Sequence, residues 1–260
     1  MKRILTVLAG SVAVGILPAV PASAAATSAA AYPVKSAALT DNPLYSAGPL
    51  PVGKCPEKPV KKLNAGSAKS YLNSVLTCLD DTWSAHLEKA GVKWSKPRVT
   101  YVTKAPAKFC QVKWDKDWDA YYCDASRTIQ ILLSKRLLEE PEDLFLFNLL
   151  ATYYGEHVQN MAGVFSAWQD MTYRNKSELA EQDRRYSLQN VCFSGAFIGS
   201  VWKSLHRSKD EWDDLLYFVR GWESKHDGTR KSLTYWINQG FKSADPGSCN
   251  TWSAPSSKVA

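Results

Sequence analysis

The sequence predicts an α+β fold: a small antiparallel sheet set among a bundle of helices, with disulfides stapling the two together. Three observations lead there. Apolar residues recur at three-and-four spacing through long stretches on both sides of the chain's middle. Between those stretches lies one short region of β-branched and aromatic residues bounded by turn chemistry. Six cysteines stand at 55, 78, 110, 123, 192 and 249. Helix, short sheet, then four helices is an order that segregates the two structure types, as α+β domains do.

The elements follow in order. Met1–Ala24 has the make-up of a secretory signal peptide: Lys2 and Arg3, an apolar run from Ile4 to Val20, and Ala22-Ser23-Ala24 as a cleavage site. Residues 25–53 are expected to be a linker and arm. As far as Thr40 the chain is mostly Ala, Ser, Thr and Pro, too poor in large apolar side chains to bury a core, while Asp41–Gly53 carries Leu44 and Tyr45 and is able to dock. The folded domain is placed at 54–254, with 255–260 as a tail. Tyr71, Leu72, Val75, Leu76, Leu79, Trp83 and Leu87 predict a helix over Ser67–Ala90, stopped by Gly91. Arg98–Thr103, Tyr121–Cys123 and Thr128–Leu132 predict the strands, the last two about the turn Asp124–Arg127. Pro141 suits a first helical turn, and the run Glu142–Met161 closes at Gly163. Asn175-x-x-Glu178 and Ser208-x-x-Glu211 are capping-box patterns, opening helices from Ser177 to about Leu205 and from Ser208 to near His226. A last helix spans Arg230–Gly240.

The formal charge is +7, falling to +5 without Lys2 and Arg3, and no basic block is present. That excess is too mild and too dispersed for a nucleic-acid binder. No second apolar span follows the leader, so no transmembrane segment is expected. Export into an oxidising compartment makes three disulfides the expectation. Six cysteines allow fifteen pairings. Loop length favours Cys55–Cys78 and Cys110–Cys123, with Cys192–Cys249 tying down the C-terminal segment. A zinc knuckle needs close C-x-x-C pairs, and there are none.

The stretch LLATYYGEHVQNMAG at Leu149–Gly163 and the stretch RRYSLQNVCFSG at Arg184–Gly195 carry the most information. Together they resemble the bacterial neutral zinc metallopeptidase family, with its A-H-E-x-G-H-H-V-Q-x-x-x-G and R-R-x-E-L-Q-A-D-C-x-A-G signatures. Cys78-Leu-Asp80 with Trp83, Tyr121-Tyr-Cys123 with Ile129, and Cys249-Asn-Thr-Trp252 extend the likeness over most of the domain. The framing residues Ala151, Gly155, His157, Val158, Gln159, Gly163, Arg184, Arg185, Leu188, Gln189, Cys192 and Gly195 match. The resemblance implies a zincin-like frame, and it implies zinc held by two histidines four apart on one helix and by a glutamate from the next, with another glutamate as general base.

Those four side chains are replaced. Thr152 and Glu156 stand at the histidine positions, Tyr153 at the base position and Ser187 at the third-ligand position, while Val191 stands where a carboxylate would support a ligand. Hydroxyls are poor zinc ligands beside imidazole and carboxylate, which leaves Glu156 as one strong donor. A tyrosine of ordinary pKa near 10 is no general base at neutral pH. His157 offers no rescue, because Glu156 and His157 point about 100° apart around a helix. His86, His206 and His226 complete the histidines, and a relocated site joining His157, one of the last two and Glu178 or Glu181 lacks any H-x-x-x-H or H-x-x-E spacing.

The expected function is therefore that of a secreted, catalytically degenerate metallopeptidase-like protein acting as a binding or regulatory module. Tyr154, His157, Gln159 and Val191 are expected along its groove, and Thr152, Glu156 and Ser187 are expected to form a hydrogen-bonded cluster in place of the metal. No cofactor is expected, zinc only if the family site is retained, and the partner class is an extracellular peptide, protein or wall polymer. The alternatives are an active metallopeptidase with a non-standard site and a wall- or carbohydrate-binding domain. The second draws on ten tryptophans, of which Trp114 and Trp118 are expected to be exposed while Trp83, Trp202, Trp212, Trp222 and Trp236 fall in helical stripes.

Overall fold

The computed structural model describes residues 31–139 and 143–260. The predicted signal peptide and the first-turn residues Pro141 and Glu142 lie outside them. One helical turn, α1 (Ala37–Thr40), precedes a 3₁₀ turn at Pro43–Tyr45, which Asn42 caps by accepting the Leu44 N–H at 3.1 Å. α2 (Ala65–Lys89) buries the predicted stripe and begins two residues early, because the Asn64 side chain accepts the Ser67 N–H at 2.8 Å and so caps it there.

β1 (Arg98–Val102), the short hairpin β2 (Lys108–Phe109) with β3 (Val112–Lys113), β4 (Ala120–Cys123) and β5 (Thr128–Leu132) follow. β4 and β5 pair antiparallel about the predicted turn, with Tyr122 opposite Ile129. The expectation of an antiparallel sheet fails at β1. That strand lies parallel to β5, Val99 opposite Ile129, so the sheet is mixed in the order β1-β5-β4, and β2–β3 form a separate ribbon. The physical reason is the crossover between β1 and β5, which carries the ribbon and β4 and lets the chain re-enter on the far side of β5. β5 is central and buried along its whole length, Thr128 and Gln130 included alongside Ile129, Ile131 and Leu132.

The short helices α3 (Lys135–Glu139) and α5 (Val164–Gln169) were not predicted; the predicted long ones are α4 (Asp143–Met161), α6 (Lys176–Leu205), α7 (Lys209–Arg220) and α8 (Arg230–Ser243). α4 ends at Gly163, whose φ of +75° favours glycine and turns the chain into α5. At α6 the capping pattern is half realised: Asn175 accepts from Ser177 and Glu178, but Glu178 returns to the Arg174 N–H and guanidinium. The Ser208–Glu211 capping box is complete. α7 stops at Arg220, six residues short of the expected end near His226, and residues 221–229 form a turn closed by a Ser224–Gly228 bridge.

α6 is the spine. It packs on α4 through Phe147 and Phe197, whose rings stack at 5.4 Å, and on α8 at backbone distance. A Cβ on Gly195 would sit 2.2 Å from the Ile237 carbonyl oxygen, and one on Gly240 would sit 2.0 Å from that of Cys192. Only glycine allows this approach.

The three disulfides are Cys55–Cys78, Cys110–Cys123 and Cys192–Cys249, the pairing favoured from loop length, and no cysteine is free. They fit a protein matured in an oxidising compartment. Among the described residues no helix is long and apolar enough to cross a membrane. The segment expected to be a linker up to Thr40 is packed from Leu39 onward, that side chain being buried against Val164, Tyr186 and Trp252. The expected tail is packed too: Val259 is buried, and its carbonyl accepts from the Arg184 Nε at 2.6 Å.

Candidate functional site

Along α4, Leu149, Thr152, Tyr153 and Glu156 recur at helical spacing, and along α6 so do Asp183, Tyr186, Ser187, Asn190 and Val191. These two stripes form the floor of an open cavity of about 730 Å³. Its walls come from places with no helical periodicity: Asp115, Asp117, Trp118 and Asp119 from the loop before β4, Trp168 from α5, and Trp222, Glu223, His226 and Asp227 from the loop after α7. All four replaced positions, Thr152, Tyr153, Glu156 and Ser187, therefore meet in one place, joined by Val191.

Their chemistry differs from the expected cluster. Thr152 Oγ1 donates to the Asn148 carbonyl of its own helix at 2.9 Å. Ser187 Oγ donates to Asp227 Oδ1 at 2.8 Å, and Ser224 Oγ donates to the other carboxylate oxygen at 2.6 Å. Glu156 makes no hydrogen bond or ion pair with any described residue. Burial, then the nearby Asp227 charge, pushes its carboxyl up to about 8. Burial and the Glu156 charge hold the Tyr153 phenol well above its ordinary range, so it keeps its proton.

These residues do not fit zinc. The two hydroxyls are engaged elsewhere, and the cavity presents no imidazole pair. Among the described residues the one group of three metal-ligating atoms within 4.8 Å is Cys110, Cys123 and Asp124, and its two sulfurs are already joined to each other.

Three of the four expected groove residues are not in the cavity. Tyr154, His157 and Gln159 lie on the opposite side of α4, fully buried, and only Val191 lines the space. Tyr154 Oη donates to Asp80 Oδ1 at 3.0 Å, and Gln159 Nε2 donates to Gln189 Oε1 at 2.8 Å. His157 is fixed at both nitrogens. Nε2 meets the Ser95 carbonyl at 2.6 Å and must carry the proton, so Nδ1 accepts from Tyr122 Oη at 3.0 Å, which in turn accepts from Asn160 Nδ2 at 2.8 Å. Burial lowers the imidazole to about 4.

The relocated histidine site does not form either. His206 caps α6 from an exposed position, His226 pairs with Asp183 at 2.7 Å, and buried His86 meets the Leu44 carbonyl at 3.1 Å.

The framing residues that match the family pattern are braces. Arg185, which is buried, reaches Glu181 at 2.7 Å and the carbonyls of Thr251 and Ala254, and Gln189 donates to Tyr45 Oη and the Cys249 carbonyl. Gly155 lets α4 lie against Asn190.

Of the tryptophan pair expected at the surface, Trp114 is buried; Trp118 stacks on Tyr121 at 4.7 Å and faces the cavity. Trp222, expected in a core stripe, sits just beyond the end of α7 and lines the cavity instead. Asp183, Trp168 and the 222–227 loop were missed as site residues. The Asp227-Gly228 turn dipeptide was the available signal for that loop.

Compared with known families, curated proteins and solved structures, the chain matches none.

Proposed function

We propose that this is an exported protein on a frame resembling the neutral zinc metallopeptidases, which binds an extracellular ligand between α4 and α6 and does not cut it. The observation that carries this reading is the meeting of Thr152, Tyr153, Glu156 and Ser187 in one open cavity, with hydroxyls, a phenol and a lone carboxylate in place of a zinc-ligand set and base. A ligand can enter, but the four positions lack the zinc ligands and the glutamate base through which that family would activate water.

The test is metal content and proteolysis on untagged protein. We expect no tightly held zinc and no chelator-sensitive casein cleavage. One zinc per chain together with such cleavage overturns the reading in favour of an active peptidase. The quadruple change Thr152→His, Tyr153→Glu, Glu156→His, Ser187→Glu should confer zinc binding if the two helices hold the family register.

A second reading, a carbohydrate or wall ligand, is favoured by Trp118, Trp168 and Trp222 lining the cavity, since flat rings stack on sugars. Retention on peptidoglycan that a Trp118→Ala/Trp222→Ala variant loses would establish it.

A further inference from the structure

We propose that the cavity between α4 and α6 recognises a cationic side chain, the ammonium of lysine or the guanidinium of arginine, presented on a peptide. This rests on the cavity being a binding site and names what it takes.

The first observation is sign. The chain as a whole is basic, with 32 Lys and Arg against 25 Asp and Glu. The cavity reverses that: seven of its twenty lining residues carry a carboxylate, and none of the twenty is a lysine or arginine. Part of the charge is met from just outside. Arg136 reaches Asp119 at 2.6 Å, and Arg230 reaches Glu223 at 3.0 Å. Among the described residues three of these carboxylates have no cation: Glu156 on the floor makes no hydrogen bond or ion pair, Asp227 has the Ser187 and Ser224 hydroxyls alone, and Asp115 has the Asp117 N–H.

The second observation is independent of the acids. Tyr186 and Asn190 also line the cavity, both more than nine-tenths buried, and Tyr186 Oη and Asn190 Oδ1 each lack a hydrogen-bond partner. Asn190 is the near polar neighbour of the Tyr186 phenol and lowers its pKa against the larger upward push of burial. Buried oxygens in this condition are costly, and a ligand rich in N–H groups relieves them.

The third is the ring surface. Trp118, Trp168 and Trp222 present π-faces or edges to the same space, and a desolvated cation over such a face gains attraction that a neutral group does not. Carboxylates without a cation, a phenol and an amide oxygen without a partner, and indole walls describe the complement of an alkylammonium or a guanidinium. The volume leaves room for backbone on either side of it.

The test is calorimetric titration of the full mature protein with the blocked peptide Ala-Lys-Ala-Lys-Ala, its arginine and norleucine analogues, and 1,5-diaminopentane. The lysine or arginine peptide should bind at least tenfold more tightly than the norleucine peptide, and Glu156→Gln/Asp227→Asn should remove that preference. Because Asp227 also holds its loop, Glu156→Gln is measured alone and is expected to weaken the basic peptide severalfold with an unchanged melting profile at pH 4. Equal binding of the norleucine peptide, absence of binding by either basic peptide, or affinity unaltered in both variants overturns the proposal. Binding of the diamine without the peptides overturns the assignment to a peptide. Zinc-dependent cleavage of the lysine peptide would instead overturn the non-catalytic reading while leaving the charge preference in place.

Discussion

Glu156 and His157 are neighbours on α4, and the two sides of that helix treat a titratable group in opposite ways. His157 faces inward, where both ring nitrogens are matched by Ser95 and Tyr122 and the neutral form is the one that fits. Glu156 faces the cavity and is matched by no described residue. Burial pushes each toward neutrality, the imidazole down to about 4 and the carboxyl up to about 8. The satisfied imidazole belongs to the scaffold, whereas the carboxyl is left facing open space. The histidine that looks like a remnant of the zinc motif is on the structural side of this division.

The largest effect should come from breaking the satisfied side. His157→Ala leaves the Tyr122 hydroxyl without its acceptor and the Ser95 carbonyl without its donor and opens a void, so urea unfolding should show a loss on the order of 3 kcal/mol, with peptide binding preserved.

Acid should act on the same network. The native imidazole titrates near 4 and the unfolded one near 6.5, so the unfolded state binds the proton first. The contribution is whole above pH 6.5 and is lost as pH falls toward 4, at most about 3 kcal/mol, seen as a falling Tm that a neutral His157→Gln variant flattens.

Glu156→Gln should do the reverse, and more gently. A carboxyl raised from 4.5 to about 8 is harmless below pH 4.5 and costs stability as pH rises through 8. The variant should therefore match the parent at pH 4 and melt higher at pH 9, by roughly 2–4 °C if about 1 kcal/mol is recovered in this half-buried site. A drop at pH 9 would place Glu156 among the braces with His157.

Much of the frame was legible because helices announce themselves through local periodicity. Tyr71 to Leu87, Leu146 to Val158 and Leu188 to Val201 each repeat at the helical period and are buried as that period requires. Loop length was enough to rank the cysteine pairs. The direction of β1 was not legible, since no residue in Arg98–Val102 distinguishes a parallel from an antiparallel neighbour. The cavity floor was visible as two helical stripes with altered chemistry. The walls were not, because Trp118, Trp168, Trp222 and Asp227 come from segments that only tertiary packing brings together. Assigning His157 to the groove followed the motif, although the step of about 100° that separates it from Glu156 turns it to another side of the helix.

The spine has one more consequence, for the order of assembly. α6 is braced by residues that come late in the chain: Cys192 is bonded to Cys249, Arg185 holds the carbonyls of Thr251 and Ala254, and Arg184 holds that of Val259. A helix at the centre of the fold is thus completed by a segment well downstream of it in the chain. Without residues 249–259, Arg185 lacks the carbonyls and Cys192 the disulfide partner that complete their surroundings, so α6 reaches its final packing only once that segment is in place.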